Sequence, residues 1–167
     1  VMDNVLLGLT PKRLSLFQRF NKDEKRKAYQ ILEQFGISHL SNRLISEMSG
    51  GEYQKSMIAR AIIQNPKILL LDEPTANVDQ NSRFDIYELL NKLNQKMTIL
   101  IVTHDTLAVS TYVKNLACLD QSLVYHGDPK NSGEDIEKMY NCPIELIAHG
   151  HVPHRVFKSH QEGEHHD

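Results

Sequence analysis

The sequence predicts an α/β fold in which a helical region precedes a partly parallel sheet. Two short apolar runs, residues 67–71 and 98–102, are typical of parallel strands that are covered on both faces. Segments with helical spacing of their apolar residues, 50–64 and 82–95, alternate with these runs along the chain. Such an alternation of helices and buried strands favours a sheet with helices packed on its faces.

Residues 1–47 form the helical region of this prediction. Apolar residues recur on one helical face from Val1 to Leu9, and Gly8 and Pro11 end that helix. A basic stretch then leads into a second helix. This stretch indicates either a solvated helix face or a surface that lies near a membrane partner or acidic headgroups.

The elements after the second strand are predicted to be shorter. We expect a short helix at residues 106–113, then a hairpin formed by 116–119 and 123–126, and another short helix at 134–140. From His149 onward the chain is rich in His and has few large apolar residues. We therefore expect this tail to be poorly ordered.

Composition limits the classes of protein to consider. The chain has 167 residues, a formal net charge of −2 and two Cys. This charge argues against nucleic-acid binding through bulk electrostatics, and two Cys are too few for a disulfide framework. No apolar stretch approaches the about 20 residues that span a bilayer, and no signal peptide is visible. The chain begins at Val1 inside an apolar run, which we interpret as the loss of a preceding segment.

The segment Ser49-Gly50-Gly51-Glu52 opens the helix predicted at 50–64. Ser49 and Glu52 predict a capping box, which is a common pattern with little functional weight of its own. Gly50 and Gly51 leave backbone N–H groups unobstructed at the helix N-terminus, where the helix dipole favours a bound phosphate.

Two carboxylates, Asp72 and Glu73, follow the apolar run at 67–71. They could be solvated acids at the carboxyl edge of a sheet, which is also where ligands bind in such folds. In chemical terms, Asp72 suits Mg²⁺ as a hard oxygen ligand, held through water, and Glu73 suits a general base that polarises an attacking water. His104 follows the next strand, where a lone His is more often structural or merely exposed.

Taken in order, three motifs resemble those of the ATP-binding subunits of ABC transporters. They are Met-Ser-Gly-Gly-Glu at 48–52, Ile-Leu-Leu-Leu-Asp-Glu-Pro-Thr at 68–75 and Thr-His-Asp at 103–105. The resemblance implies a partial P-loop NTPase domain that has a helical subdomain and uses ATP and Mg²⁺. It also implies a homodimer with ATP bound between the subunits.

The resemblance implies a role for each matching position. Asp72 would bind Mg²⁺ and Glu73 would be the catalytic base. His104 matches the switch histidine that senses the γ-phosphate, and Asp79 matches the loop that contacts the partner subunit. The signature residues would act in trans, on ATP held by the other subunit; they are Ser49, Gly50, Gly51 and Glu52.

The two ends of the chain indicate a cargo. Residues 1–9 and 142–154 resemble the ATP-binding subunits of zinc and manganese importers. The resemblance implies integral-membrane permease subunits as partners, an indirect periplasmic or lipoprotein metal-binding protein, no nucleic acid, and a peripheral position on the cytoplasmic face of the cell membrane. His149, His151 and His154 are candidate Zn²⁺ ligands, but their spacing fits no standard structural zinc site, and an ordinary tail is the alternative.

The sequence contains no Gly-x-x-x-x-Gly-Lys-Ser/Thr motif, since none of its eight glycines is followed by Lys. We therefore expect this chain to lack the phosphate loop, the Gln-bearing loop and the strands that hold adenine, and not to hydrolyse ATP alone. The predicted domains are a helical subdomain at 1–47, the C-terminal part of the catalytic core at 48–128 and an extension at 129–167.

Two other classes of protein were weighed against this prediction. A chromosome-maintenance or DNA-repair ATPase would carry long heptad repeats before the signature, and this sequence has none. A truncated, catalytically inactive metal-binding or regulatory remnant of a transporter subunit would bind zinc without dependence on nucleotide.

Overall fold

A computed structural model describes residues 1–10, 19–105, 111–120, 122–127, 144–149 and 152–157. The chain divides into two compact units, Val1–Thr103 and His104–Asp167. In the part of the chain that is described, none of the helices has the length and the apolar character required to cross a membrane. The domain boundaries expected after residues 47 and 128 stay predictions.

The described residues of the first unit form four helices and two strands, in the alternating order that the sequence predicts. They are α1 (Met2–Leu7), α2 (Lys22–Gln34), α3 (Gly50–Ile62), β1 (Ile68–Asp72), α4 (Gln80–Leu93) and β2 (Thr98–Val102). Short 3-10 turns at Ser38–Leu40 and Ile45–Glu47 connect α2 to α3. The predicted α/β class and helical region are confirmed, and the observed bounds differ from the predicted ones by a few residues at most.

The two strands of the first unit pair in parallel, as predicted. Their register places Leu70 opposite Leu100 and Asp72 opposite Val102. The prediction that both faces are covered is wrong for the described residues, because one face of the pair is exposed. Its side chains include Leu70, which is 69% exposed, and Val102, which is 61% exposed. A continuous apolar run favours burial on both faces, but the pattern cannot say which element supplies the second cover.

The core of the first unit lies between α1, α2 and α3. Helical periodicity directs one face of each helix inward, so that Leu6, Leu32 and Ile58 are almost fully buried. At the start of α2, Asn21 accepts a hydrogen bond from the Glu24 backbone N–H, and the Glu24 carboxylate accepts from the Asn21 N–H. This capping box satisfies two backbone donors that a helix start leaves unpaired.

A buried polar network joins α1 to α3. The side-chain amide of Asn4 donates to Ser56 Oγ at 3.1 Å, and the Arg60 guanidinium donates to the side-chain oxygen of Asn4 at 3.4 Å. Close beside this network, an added Cβ at Gly8 would lie 2.1 Å from the Arg60 carbonyl oxygen. Only glycine allows so close a backbone approach, and Gln64 donates a side-chain hydrogen bond to the Gly8 carbonyl.

In the second unit, the residues that the structure describes include two antiparallel pairs of strands. The strands β3 (Leu116–Asp120) and β4 (Ser122–Gly127) form the predicted hairpin, with a register shift after Cys118. The strands β5 (Ile144–His149) and β6 (Val152–Phe157) form a second pair.

The expectation of a poorly ordered tail from His149 onward stays a prediction, and within that tail residues 152–157 form β6. Both strands of this pair contain β-branched residues, which favour extended backbone, and the weight of the His residues in the prediction obscured that signal. The helix predicted at 134–140 and most of that at 106–113 lie outside the described residues.

We predict that Asn4→Ala lowers the free energy of unfolding by about 1–3 kcal/mol, because it removes the donor to a fully buried Ser56 hydroxyl. Urea unfolding of the chain, followed by circular dichroism, measures this loss. Asp3→Ala is the control, since Asp3 is exposed on the same helix and its removal should change the free energy by less than about 0.5 kcal/mol. An equal effect of the two substitutions would contradict the prediction.

Candidate functional site

The two predicted carboxylates lie where β1 ends. Asp72 is the last residue of β1 and is exposed, and Glu73 is half-buried. Glu73 continues the strand pairing by one hydrogen bond, since its backbone N–H donates to the Val102 carbonyl oxygen at 2.8 Å. Its backbone is left-handed, with φ of 44°, which is uncommon for a residue with a long side chain. The chain therefore turns sharply at the edge of the sheet.

The loop after Glu73 is held against α4. Pro74 is among the fully buried residues, and the buried Thr75 hydroxyl lies 3.1 Å from the Tyr87 hydroxyl, within hydrogen-bonding distance. Val78, which is 5% exposed, follows in the same loop. The burial of these residues and the contact of Thr75 with Tyr87 restrict the path that the loop can take from β1 to α4.

Asp79 caps the N-terminus of α4. Its carboxylate accepts a hydrogen bond from the Ser82 backbone N–H at 3.0 Å. Hydrogen bonds from Ser82, through its side chain and then its backbone, lower the pKa of Asp79 below its ordinary value. The cap gives Asp79 a structural role inside its own subunit, in addition to the contact with a partner subunit that its sequence position implies.

The capping box predicted at the start of α3 is confirmed. Ser49 Oγ accepts a hydrogen bond from the Glu52 N–H at 3.3 Å, and the Glu52 carboxylate accepts from the Ser49 N–H at 2.9 Å. The hydrogen bond from the Ser49 backbone is the main reason that the pKa of Glu52 is lowered. The carboxylate therefore stays ionised at the positive end of the helix dipole, where a negative charge is favourable.

The two glycines of this segment pack against the loop that follows β1 and against the start of α4. An added Cβ at Gly50 would lie 2.8 Å from the Asn77 carbonyl oxygen, and one at Gly51 would lie 2.6 Å from Ser82 Cβ. Both distances are too short for a real side chain, so each glycine is needed for close packing. The sequence interpretation, in which glycine exposes backbone N–H groups to a phosphate, describes only part of what these positions do.

The first unit therefore brings together the start of α3, the loop that follows the two carboxylates and the start of α4. The joined segments contain Ser49, Gly50, Gly51, Glu52, Asp72, Glu73 and Asp79. His104 is exposed and begins the second unit, directly after Thr103 in the sequence. Its predicted role as a γ-phosphate sensor stays a prediction.

The candidate tail ligands are placed only in part. His149 ends β5 opposite Val152, and His154 lies in β6 opposite Ile147. His151 lies outside the described residues. Within the described ranges, no group of three or more His, Cys, Asp or Glu side chains is arranged so that it could hold a metal ion.

Sequence reasoning did not identify the contacts made by Asn77, Ser82 and Thr103, although Asn77 lies in the loop of Asp79 and Thr103 begins the Thr-His-Asp motif. Asn77 and Ser82 contact the signature glycines, and the Thr103 hydroxyl donates to the Glu73 carboxylate at 3.3 Å. The left-handed backbone of Asn77, with φ of 60°, is a conformation that Asn tolerates better than most residues. That preference was the one local signal in the sequence for any of these three contacts.

We predict that Gly51→Ala and Ser82→Gly are strongly non-additive. The alanine methyl group would collide with Ser82 Cβ, and overpacking of this kind costs about 1–3 kcal/mol of folding free energy. Ser82→Gly removes the collision, although by itself it costs about 0.5–1 kcal/mol in a helix. Urea unfolding of both single variants and the double variant gives the coupling free energy.

Ser82→Ala is the matched control for this cycle, because it removes the hydroxyl but keeps the Cβ that blocks the methyl group. It should leave the defect of Gly51→Ala in place. Additive effects of Gly51→Ala and Ser82→Gly would show that this contact does not limit position 51.

Comparison with known proteins gives the same assignment as the motifs. A model of the ABC transporter family matches residues 3–76. The zinc uptake system ATP-binding protein ZurA of Listeria innocua is 39% identical over 129 residues, which are 76% of this chain and 50% of that protein. The manganese transport system ATP-binding protein MntB of the same organism is 43% identical over 152 residues, which are 89% of this chain and 63% of that protein.

Solved structures agree with this assignment. MJ1267, an ATP-binding cassette of an ABC transporter in its ADP conformation, matches with a TM-score of 0.73 and 28% identity, over 84% of this chain and 61% of its own. An ABC transporter in an inward-facing conformation matches with a TM-score of 0.85 and 27% identity, over 95% of this chain and 66% of its own. The chain thus spans between half and two thirds of the length of these relatives. Together, the order of the motifs, the fold and these matches show that the chain is similar to a part of the ATP-binding proteins of ABC transporters.

Proposed function

We propose that the whole protein is the energy-coupling subunit of an ABC transporter, which binds and hydrolyses ATP to import a divalent metal ion such as zinc or manganese. The observation that carries this proposal is the position of Asp72 and Glu73 at the carboxyl end of a parallel strand, with the signature segment packed against the loop that follows. Ligands of open α/β sheets bind at this edge.

The donor chemistry at the end of β1 fits Mg²⁺. Asp72 offers an exposed carboxylate, and hard cations of this kind take oxygen ligands and retain several waters. Asp72 would hold the ion through water. The ion, when bound, neutralises charge on the phosphates of ATP.

The start of α3 fits a phosphate group. The backbone N–H groups of Gly50 and Gly51 precede the first hydrogen bonds within the helix, whereas the Glu52 N–H donates to Ser49 Oγ. Gly50 is exposed and presents no side chain to an approaching phosphate. We assign Ser49, Gly50, Gly51 and Glu52 to the γ-phosphate of ATP held by the other subunit of a homodimer. Asp79 would then lie near the partner subunit, and His104 would donate to the developing charge on the phosphate.

The cargo and the partners follow from the relatives. ZurA is named for zinc uptake, MntB for manganese transport and ZnuC of Haemophilus influenzae for zinc import. We propose that the subunit docks integral-membrane permeases through its helical region, on the cytoplasmic face of the cell membrane. A periplasmic or lipoprotein metal-binding protein would deliver the ion. An inactive remnant is not favoured, because these relatives are ATP-binding proteins of uptake systems.

We predict that Glu73→Gln in the whole subunit lowers kcat for ATP hydrolysis by about 10²–10⁴-fold, because a general base contributes a factor of this size. Binding of ATP should remain, since the amide keeps the shape of the side chain. Phosphate release measures the first effect and fluorescent nucleotide titration the second. Glu88→Gln, on the exposed side of α4, is the control and should keep full activity. If the Glu73→Gln variant hydrolyses ATP at the normal rate, Glu73 is not the general base.

We also propose that the tail binds Zn²⁺ weakly through His149, His151 and His154, since imidazole suits this ion. Isothermal titration of the chain with Zn²⁺ should show a heat that disappears when all three are changed to Ala. His39→Ala is the matched control, because His39 is an exposed His far from the tail in sequence, and it should keep the heat. Equal heats from the triple variant and the unchanged chain would end this part of the proposal.

A further inference from the structure

We propose that Thr103 is a positioning residue that orients the Glu73 carboxylate for attack by water. The inference rests on the proposed function, in which Glu73 is the general base. Its basis is a hydrogen bond of 3.3 Å from Thr103 Oγ1 to Glu73 Oε2, which joins the residue after β2 to the residue after β1. No motif of the sequence assigns this task to Thr103.

Glu73 is held at two points by two consecutive residues. Its backbone N–H donates to the Val102 carbonyl oxygen at 2.8 Å, and its carboxylate accepts from the Thr103 hydroxyl. One hydrogen bond fixes where the residue leaves the sheet, and the other restricts where its carboxylate goes. A side chain anchored only at its backbone would sample several rotamers, and each added restraint removes some of them.

The backbone of Glu73 indicates that this position is constrained by its surroundings. Among the described residues, the other non-glycine positions with positive φ are Asn65 and Asn77. Asn visits the left-handed region readily, whereas for most residues such a conformation costs of the order of 1–3 kcal/mol and persists only when neighbouring contacts impose it. The two hydrogen bonds from the end of β2 are contacts of this kind.

The geometry leaves the carboxylate able to act as a base. A carboxylate has two oxygens with about four acceptor positions, so the hydrogen bond from Thr103 to Oε2 does not by itself prevent a water from donating to the carboxylate. A base that holds its water in a fixed direction speeds the reaction, because the two groups need not be rearranged before the water attacks. A displacement of a reacting group by about 1 Å can lower the rate by about 10²-fold. Orientation by Thr103 would therefore affect the chemical step and not the binding of ATP.

A purely structural role for Thr103 is the alternative. Thr is β-branched and suits a position next to a strand whatever its hydroxyl does. The two roles differ in which substitution of Thr103 should preserve the function of the residue. Val keeps the branched shape without the hydroxyl, and Ser keeps the hydroxyl without the methyl group. A positioning role requires the hydroxyl, and a structural role requires the shape.

The test compares Thr103→Val and Thr103→Ser in the whole subunit by steady-state ATP hydrolysis. The Val variant should lose about 10- to 100-fold in kcat with an unchanged KM for ATP, and the Ser variant should stay within about threefold of the original enzyme. If the Val variant does not fold, Thr103→Ala, which also lacks the hydroxyl, carries the same expectation. A Val variant at full kcat, or a Ser variant as slow as Val, would overturn the inference.

A double-mutant cycle with Glu73→Gln separates this inference from the proposed function. If Thr103 acts through Glu73, adding Thr103→Val to Glu73→Gln should cause no further loss of kcat. If Thr103→Val lowers kcat as much in the Glu73→Gln variant as it does in the original enzyme, Thr103 acts elsewhere. If Glu73→Gln alone leaves kcat unchanged, the assignment of the base fails, and that result is distinct from a failure confined to Thr103.

Discussion

The geometry of the candidate site depends on one backbone hydrogen bond that extends the pairing of β1 and β2 beyond the strands. Asp72 lies opposite Val102 in the parallel register, and the N–H of the next residue, Glu73, donates to the carbonyl of Val102. Glu73 can therefore turn into a left-handed conformation without losing its connection to the sheet. The path of the following loop, with Pro74 buried, starts from this turn.

The elements of the fold could largely be predicted because their signals are local. Helical spacing, the capping box at Ser49 and Glu52, and the two apolar runs each lie within a few consecutive residues, and the structure confirms them. The exposed face of β1 and β2 could not be predicted, since the cover of a strand comes from elements distant in sequence. The strand at 152–157 was missed because composition is a weaker guide than local β propensity.

The candidate site could be predicted in its motifs but not in its supporting contacts. Asp72 and Glu73 are recognisable as two acids after an apolar run, and the matches to ABC transporter proteins agree with the motif order. Ser82 belongs to none of the three motifs, and Thr103 begins one of them without any role being assigned to it. Their importance arises only when folding brings Ser82 against Gly51 and Thr103 against Glu73, which are about 30 residues away in each case.

The contact between Gly51 and Ser82 limits how this sequence can vary over evolution. Any residue larger than glycine at position 51 has to be matched by glycine at position 82, because every other residue there has the Cβ that blocks it. The two positions should therefore change together among related sequences. Residue 82 belongs to no motif, yet the signature segment should constrain which residues it can be. A substitution at position 82 would therefore act as a defect of that segment.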